Sequence, residues 1–165
     1  MLTFVAFGIL KFVGMTELFK KLNYKNESDI IILNPPISFY IEKQKISEFC
    51  TIKENLTETN SINFILNFVL SQKEIELTAK AIVDRSAGDA IIWYAFPKKS
   101  SKNFTSDFDR DNGWEIMGEL GLEGVRMVAI DKDWTALRFR KVKYIKSMSR
   151  SFPMTEAGKL KAKKK

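Results

Sequence analysis

The sequence predicts an α/β fold: a three-layer, Rossmann-like, mostly parallel sheet of five to six strands that ends in an antiparallel β-hairpin. Three observations carry this. Short apolar runs without strict alternation recur at residues 29–34, 62–70, 90–96 and 124–130, the pattern of strands buried on both faces. Segments of helical character separate them, and strand–helix alternation gives layered sheets with right-handed crossovers. The last crossover is missing. "DKDW" (131–134) is a tight connection, which makes the final strand pair antiparallel.

Each element follows in order. "DIIILN" (29–34) is closed by Pro35-Pro36, "ISFYIEKQ" (37–44) is the helix after it, and a weaker strand spans 45–53. "INFILNFVL" (62–70) leads into "SQKEIELTAKAIVDR" (71–85), the clearest helix. Ser71 is its N-cap, Glu74 completes a capping box, and Ile75, Leu77, Ala79, Ile82 and Val83 are its apolar positions. "AIIWYAF" (90–96) stops at Pro97, which has no N–H for the ladder. "DNGWEIMGELG" (111–121) spaces Trp114, Met117 and Leu120 three apart and stops at Gly121. Asp109 or Asp111 is its expected cap. "GVRMVAI" (124–130) and "TALRFRKVKYI" (135–145) form the hairpin at the sheet edge. There the charges of Arg138, Arg140, Lys141 and Lys143 would guard an exposed edge. The expected strand order is 2-1-3-4, extended by the hairpin.

Composition narrows the chemistry. The 165 residues suit one domain. Cys50 is the sole cysteine, so no disulfide forms within the chain, which fits a reducing compartment. The absence of histidine removes Ser-His-Asp and Cys-His nucleophile systems and histidine metal sites. Neither metal nor cofactor is expected. Residues 141–165 hold nine Lys/Arg and one Glu, a charge of +8, whereas residues 1–140 carry −1. The basicity therefore belongs to the tail.

Both ends look appended to a domain at 15–146. Residues 1–14, "MLTFVAFGILKFVG", are too short for an ordinary transmembrane span of about 20 residues. They are a region before a true start at Met15, a membrane-associated segment, or a packed first element. Residues 147–165 lack a sustained apolar period, so disorder is expected. Their terminal lysines are either a solubilising tail or a weak contact for nucleic acid.

The candidate site comes from "PKKSSK" (97–102). Open α/β sheets bind ligands beyond the carboxyl ends of parallel strands. Lys98, Lys99, Ser100 and Ser101 supply donors there without acceptors nearby in sequence, which suits an anion. Asn34 ends another strand, Arg138 is a second cation, and the helix N-terminus at Ser71 would add backbone N–H groups. The alternative is a solvated loop tip. Asp107, Asp109 and Asp111 have the spacing of a calcium loop, but Asn112 stands where the turn needs glycine and Gly118 where it needs glutamate. "LNPPI" (33–37) is similar to the Asn-Pro-Pro-aromatic motif of amino-methylating nucleic-acid methyltransferases. Ile37 replaces the aromatic and no glycine-rich loop precedes it, so it is taken as a tight turn.

"LNPP", "FILNFVLSQ", "GDAIIWYAFPKKSSK" and "DRDNGWEIMGELGLEGVRMVAIDKDWTALRFR" in this order resemble an uncharacterised bacterial family, a domain of unknown function. The likeness covers residues 15–145 and is strongest from Asp89 to Arg140. It implies a small cytoplasmic bacterial protein with a Rossmann-like sheet, a start at Met15, and no known reaction. The expected function is non-catalytic binding of a phosphate- or carboxylate-bearing ligand at the carboxyl edge of the sheet. The alternatives are a nucleic-acid accessory protein using tail and hairpin, a protein-interaction module, or an enzyme built on a Lys98–Ser100 pair.

Overall fold

The apolar runs form six strands in a computed structural model that describes residues 16–147 and 153–163. They are β1 (Asp29–Leu33), β2 (Thr51–Lys53), β3 (Ile62–Phe68), β4 (Ser86–Pro97), β5 (Leu122–Ala129) and β6 (Trp134–Lys141). One sheet holds them in the order β2-β1-β3-β4-β6-β5. β2, β1, β3 and β4 are parallel, and β6 is antiparallel to both β4 and β5. The 2-1-3-4 order with its terminal hairpin is therefore present, in an α/β, Rossmann-like fold. The expectation for residues 1–14 lies outside the described residues.

The runs are continuous because both faces of the sheet are covered. Ile31, Ile65, Ile92, Tyr94 and Phe96 enter one core, and Ile30, Ile32, Leu66, Trp93 and Ala95 enter the other. Helices α1 (Glu17–Lys21) and α2 (Tyr40–Ser47) cover the Trp93 face through Phe19, Leu22, Phe39 and Ile46. Helices α3 (Gln72–Arg85) and α4 (Glu115–Glu119) cover the other through Ile75, Ala79, Ile82 and Met117. The Trp93 indole N–H donates to the Leu22 carbonyl at 2.8 Å and fastens α1 to the sheet. At α3 the expected N-cap forms, with Ser71 Oγ accepting from the Glu74 amide, while Glu74 Oε2 reaches one residue further back than a capping box and accepts from the Leu70 amide at 2.6 Å.

Four expectations need correction. The strand expected over 45–53 is a strand only at Thr51–Lys53, because α2 runs on to Ser47 and uses Ile46 as a core residue. The helix expected over 111–121 is one short turn, and neither aspartate caps it. Asp109 Oδ1 instead closes its own turn by accepting from the amides of Asp111 and Asn112. β6 is not at the edge, since β5 lies outside it. The fourth concerns the tail expected to be disordered over 147–165: Glu156–Lys163 form α5, and for residues 148–152 and 164–165 the expectation lies outside the described residues. What holds α5 is polar: the fully buried Glu123 carboxylate accepts from the Met154 amide, the Thr155 amide and the Thr155 hydroxyl at 2.9, 2.6 and 2.8 Å. An apolar-period search does not see such a latch. No helix among the described residues is long and apolar enough to cross a membrane.

Candidate ligand cleft at the end of β4

Pro97 ends β4, and residues 98–114 then cross the end of the sheet before α4. A connection this long without regular structure is uncommon in a compact fold unless it is functional. Two side chains fix its far end. Asp107 Oδ1 accepts from the Gln72 amide at 2.8 Å, and the Trp114 indole N–H donates to the Asp109 carbonyl at 2.8 Å. Trp114 also packs on Tyr94, Phe96, Phe108 and Phe139. Gly113 lets the chain turn back. Its φ is +99°, and a Cβ there would lie 2.5 Å from the Phe108 Cβ.

Between this loop and the hairpin lies a cleft of about 790 Å³. Phe96, Phe104, Phe108 and Met127 give it apolar walls, and Lys98, Lys99, Ser101 and Thr135 line it from the strand ends. Three cations (Lys98, Lys99, Arg110) and three acids (Asp107, Asp109, Asp111) also border it. The formal charges cancel, but the groups are not equally available. Asp107 caps α3. Asp109 is held below the usual carboxylate range by the Asp111 amide first, then by Asn112 and Lys99. Lys99 is 3.3 Å from Asp109. Ser101 donates to Asp133 Oδ1 at 2.8 Å, and Asn103 Nδ2 to Asp133 Oδ2 at 3.2 Å. These bonds, Ser101 foremost, hold the Asp133 carboxyl below its usual range. Lys98 is half-buried in the wall and forms no ion pair among the described residues.

The six residues expected at the site divide. Lys98, Lys99 and Ser101 meet at the cleft, with Lys99 and Ser101 already engaged by Asp109 and Asp133. Ser100 is exposed at the loop tip and does not line the cleft. Asn34, at φ +51°, closes the turn after β1 and is likewise not in the lining. Arg138 is farther away. It pairs with Trp93, five residues before Lys98, or roughly 17 Å along the strand. Its side chain lies on the Trp93 face, opposite the Phe96–Thr135 wall.

The helix N-terminus at Ser71 is not open to a ligand in the way expected, because Asp107 accepts from the Gln72 amide and Ser71 Oγ from the Glu74 amide. Sequence reasoning missed the aromatic walls Phe104 and Phe108 and the acceptor Asp133. The two phenylalanines stand four apart within a polar stretch, a signal that the aspartate spacing masked. Trp134 packs over the sheet end between Phe68 and Phe104, at centroid distances of 5.3 and 5.0 Å.

No family model matches the chain, and no curated protein does. Solved structures with a similar fold include one described as "a putative type 11 methyltransferase from Sulfolobus solfataricus". It is 6% identical with a TM-score of 0.46, and the match covers 82% of this chain and 95% of that one. Another is the pyocyanin biosynthetic protein PhzM, 11% identical with a TM-score of 0.42, covering 84% of this chain and 57% of that one. At these scores the likeness carries no argument about ligand or reaction.

Proposed function

We propose that the cleft at the end of β4 binds a small ligand with an apolar body and a phosphate or carboxylate group, and that Lys98 meets the anion. One observation carries the reading. Lys98, a half-buried residue with no ion pair among the described residues, stands in the wall of a cleft of about 790 Å³ that is lined by aromatic side chains. Ligand pockets of roughly 300–1,000 Å³ with mainly apolar linings and a few polar anchors are the usual small-molecule sites. An ammonium that makes no ion pair within the loop is free to give an incoming anion a charge-assisted hydrogen bond. The carboxylates of Asp107, Asp109 and Asp133 already accept hydrogen bonds inside the loop, and Asp133 attracts Lys98 only through space, without an ion pair.

The test is a thermal-shift panel of nucleotides, sugar phosphates and aromatic carboxylates. A ligand at about 100 times its dissociation constant adds roughly 2.7 kcal/mol to stability. Lys98→Ala removes that gain, whereas Lys99→Ala, whose side chain already pairs with Asp109, keeps most of it. Hits that stabilise Lys98→Ala as well as the parent refute the reading, as does a panel without stabilising compounds.

A further inference from the structure

A different group of cations lies on the opposite face of the sheet, away from the cleft. Arg126 on β5 and Arg138 on β6 are direct cross-strand partners. Arg140 follows Arg138 two residues along the same strand face, roughly 7 Å away. Like charges placed directly opposite destabilise a sheet. Edge protection does not explain Arg138 and Arg140, because β6 is an interior strand with β4 on one side and β5 on the other.

Among the described residues the counter-charge is short. Asp89 is engaged by Arg140, whose Nε donates at 2.9 and 3.1 Å and whose Nη2 donates at 2.5 Å. Glu123 is the cross-strand partner of Arg140, but its carboxylate holds residues 154–155 instead. Among the described residues Arg138 and Arg140 thus share one carboxylate, Asp89, on which Lys25 acts as well, and Arg126 adds a further positive charge beside Arg138. Arg138 feels this most. It is half-buried, and its Nε is shielded from solvent without a hydrogen-bond partner among the described residues. Burial first, then Arg140 and Arg126, push its guanidinium below the usual arginine range. A shielded guanidinium Nε without an acceptor, on a side chain whose one nearby carboxylate is already engaged by Arg140, is an unsatisfied donor, and such donors are normally paired.

We propose that Arg126, Arg138 and Arg140 form a binding site for a phosphate-type oxyanion. Guanidinium forks present paired N–H donors that match the oxygens of phosphate, and adjacent forks can share one tetrahedral anion. The anion would supply the missing counter-charge and accept from Arg138 Nε. The same chemistry is offered by a free phosphate and by a polynucleotide backbone. This site is independent of the cleft reading, since it shares neither residues nor sheet face with it.

The experiment uses the full chain labelled with nitrogen-15 at arginine. Inorganic phosphate is titrated at constant ionic strength, with chloride as the control, while the Nε–Hε resonances are followed. A saturable shift of Arg138, accompanied by Arg126 and Arg140, is expected with phosphate and not with chloride. Arg126→Gln, an exposed position, weakens the apparent affinity by about tenfold or more. Arg138→Gln does the same, and Lys98→Ala leaves it unchanged. A second arm titrates a short single-stranded oligonucleotide without terminal phosphates. Tighter binding there, lost in Arg126→Gln, assigns the anion to a nucleic-acid backbone, and binding of phosphate alone assigns it to a small molecule. A linear drift identical for phosphate and chloride, or full affinity in Arg126→Gln, overturns the proposal.

Discussion

Gly113→Ala tests whether the loop that walls the cleft is built as described. At φ +99° an L-residue is strained, which costs about 1–2 kcal/mol. The added Cβ also meets the Phe108 Cβ at 2.5 Å and Gln72 Cγ and Cδ at 3.2 and 3.3 Å. The Gln72 side chain can turn away by giving up the exposed hydrogen bond that its Nε2 donates to the Asp107 carbonyl. The Phe108 Cβ cannot, because its ring is packed against Phe96 and Trp114. Overpacking of this kind costs roughly 1–3 kcal/mol. Together the substitution should remove about 3 kcal/mol, or about 6–12 °C in melting temperature for a chain of this size. Gly121→Ala is the matched control. Its φ is +82° but nothing lies within 4 Å of the added atom, so only the conformational cost of about 1–2 kcal/mol applies. Urea unfolding followed by tryptophan fluorescence measures both. If Gly113→Ala is no more destabilising than Gly121→Ala, Phe108 is not where the structure puts it and the cleft wall is wrong.

Three further outcomes follow. Asp107→Ala should cost about 1 kcal/mol, the usual loss of a helix cap, and should speed hydrogen exchange of the Gln72 amide; unchanged exchange would argue against the cap. Glu123→Ala should free the C-terminal segment, seen as faster proteolysis after residue 153 and a loss of about 1–3 kcal/mol for the unsatisfied amides; equal proteolysis rates would count against the latch. Burial raises the Tyr94 phenol from 10.0 to about 12. A raised folded value means its contribution is intact below the unfolded value and is lost as pH rises through the folded one. Phenolate absorbance should therefore show a late phase near pH 12 that accompanies unfolding and shrinks in Tyr94→Phe; an unchanged late phase in that variant contradicts it.

The fold was legible because its signals are local or periodic. Ile30 to Leu33 and Ala90 to Phe96 are buried on both faces, so their apolar runs are unbroken. Ser71 and Glu74 announce α3 through spacing alone. The site was less legible because its outcome depends on partners distant in sequence. Ser101 finds Asp133, and Asp107 finds Gln72. Lys99 looked free for the same reason, yet it is matched by Asp109. The place of Arg138 was misjudged through topology. A hairpin normally adds its last strand outermost, but here β6 folds back into the gap between β4 and β5.

The most direct test of the central claim is where a stabilising anionic ligand binds. Amide chemical-shift mapping should be run with the tightest hit of the thermal-shift panel. The account predicts shifts concentrated at Lys98, at residues 104–112, and at Met127 and Thr135, which line the cleft, and their loss in Lys98→Ala. Shifts that avoid these residues and survive in Lys98→Ala would contradict it.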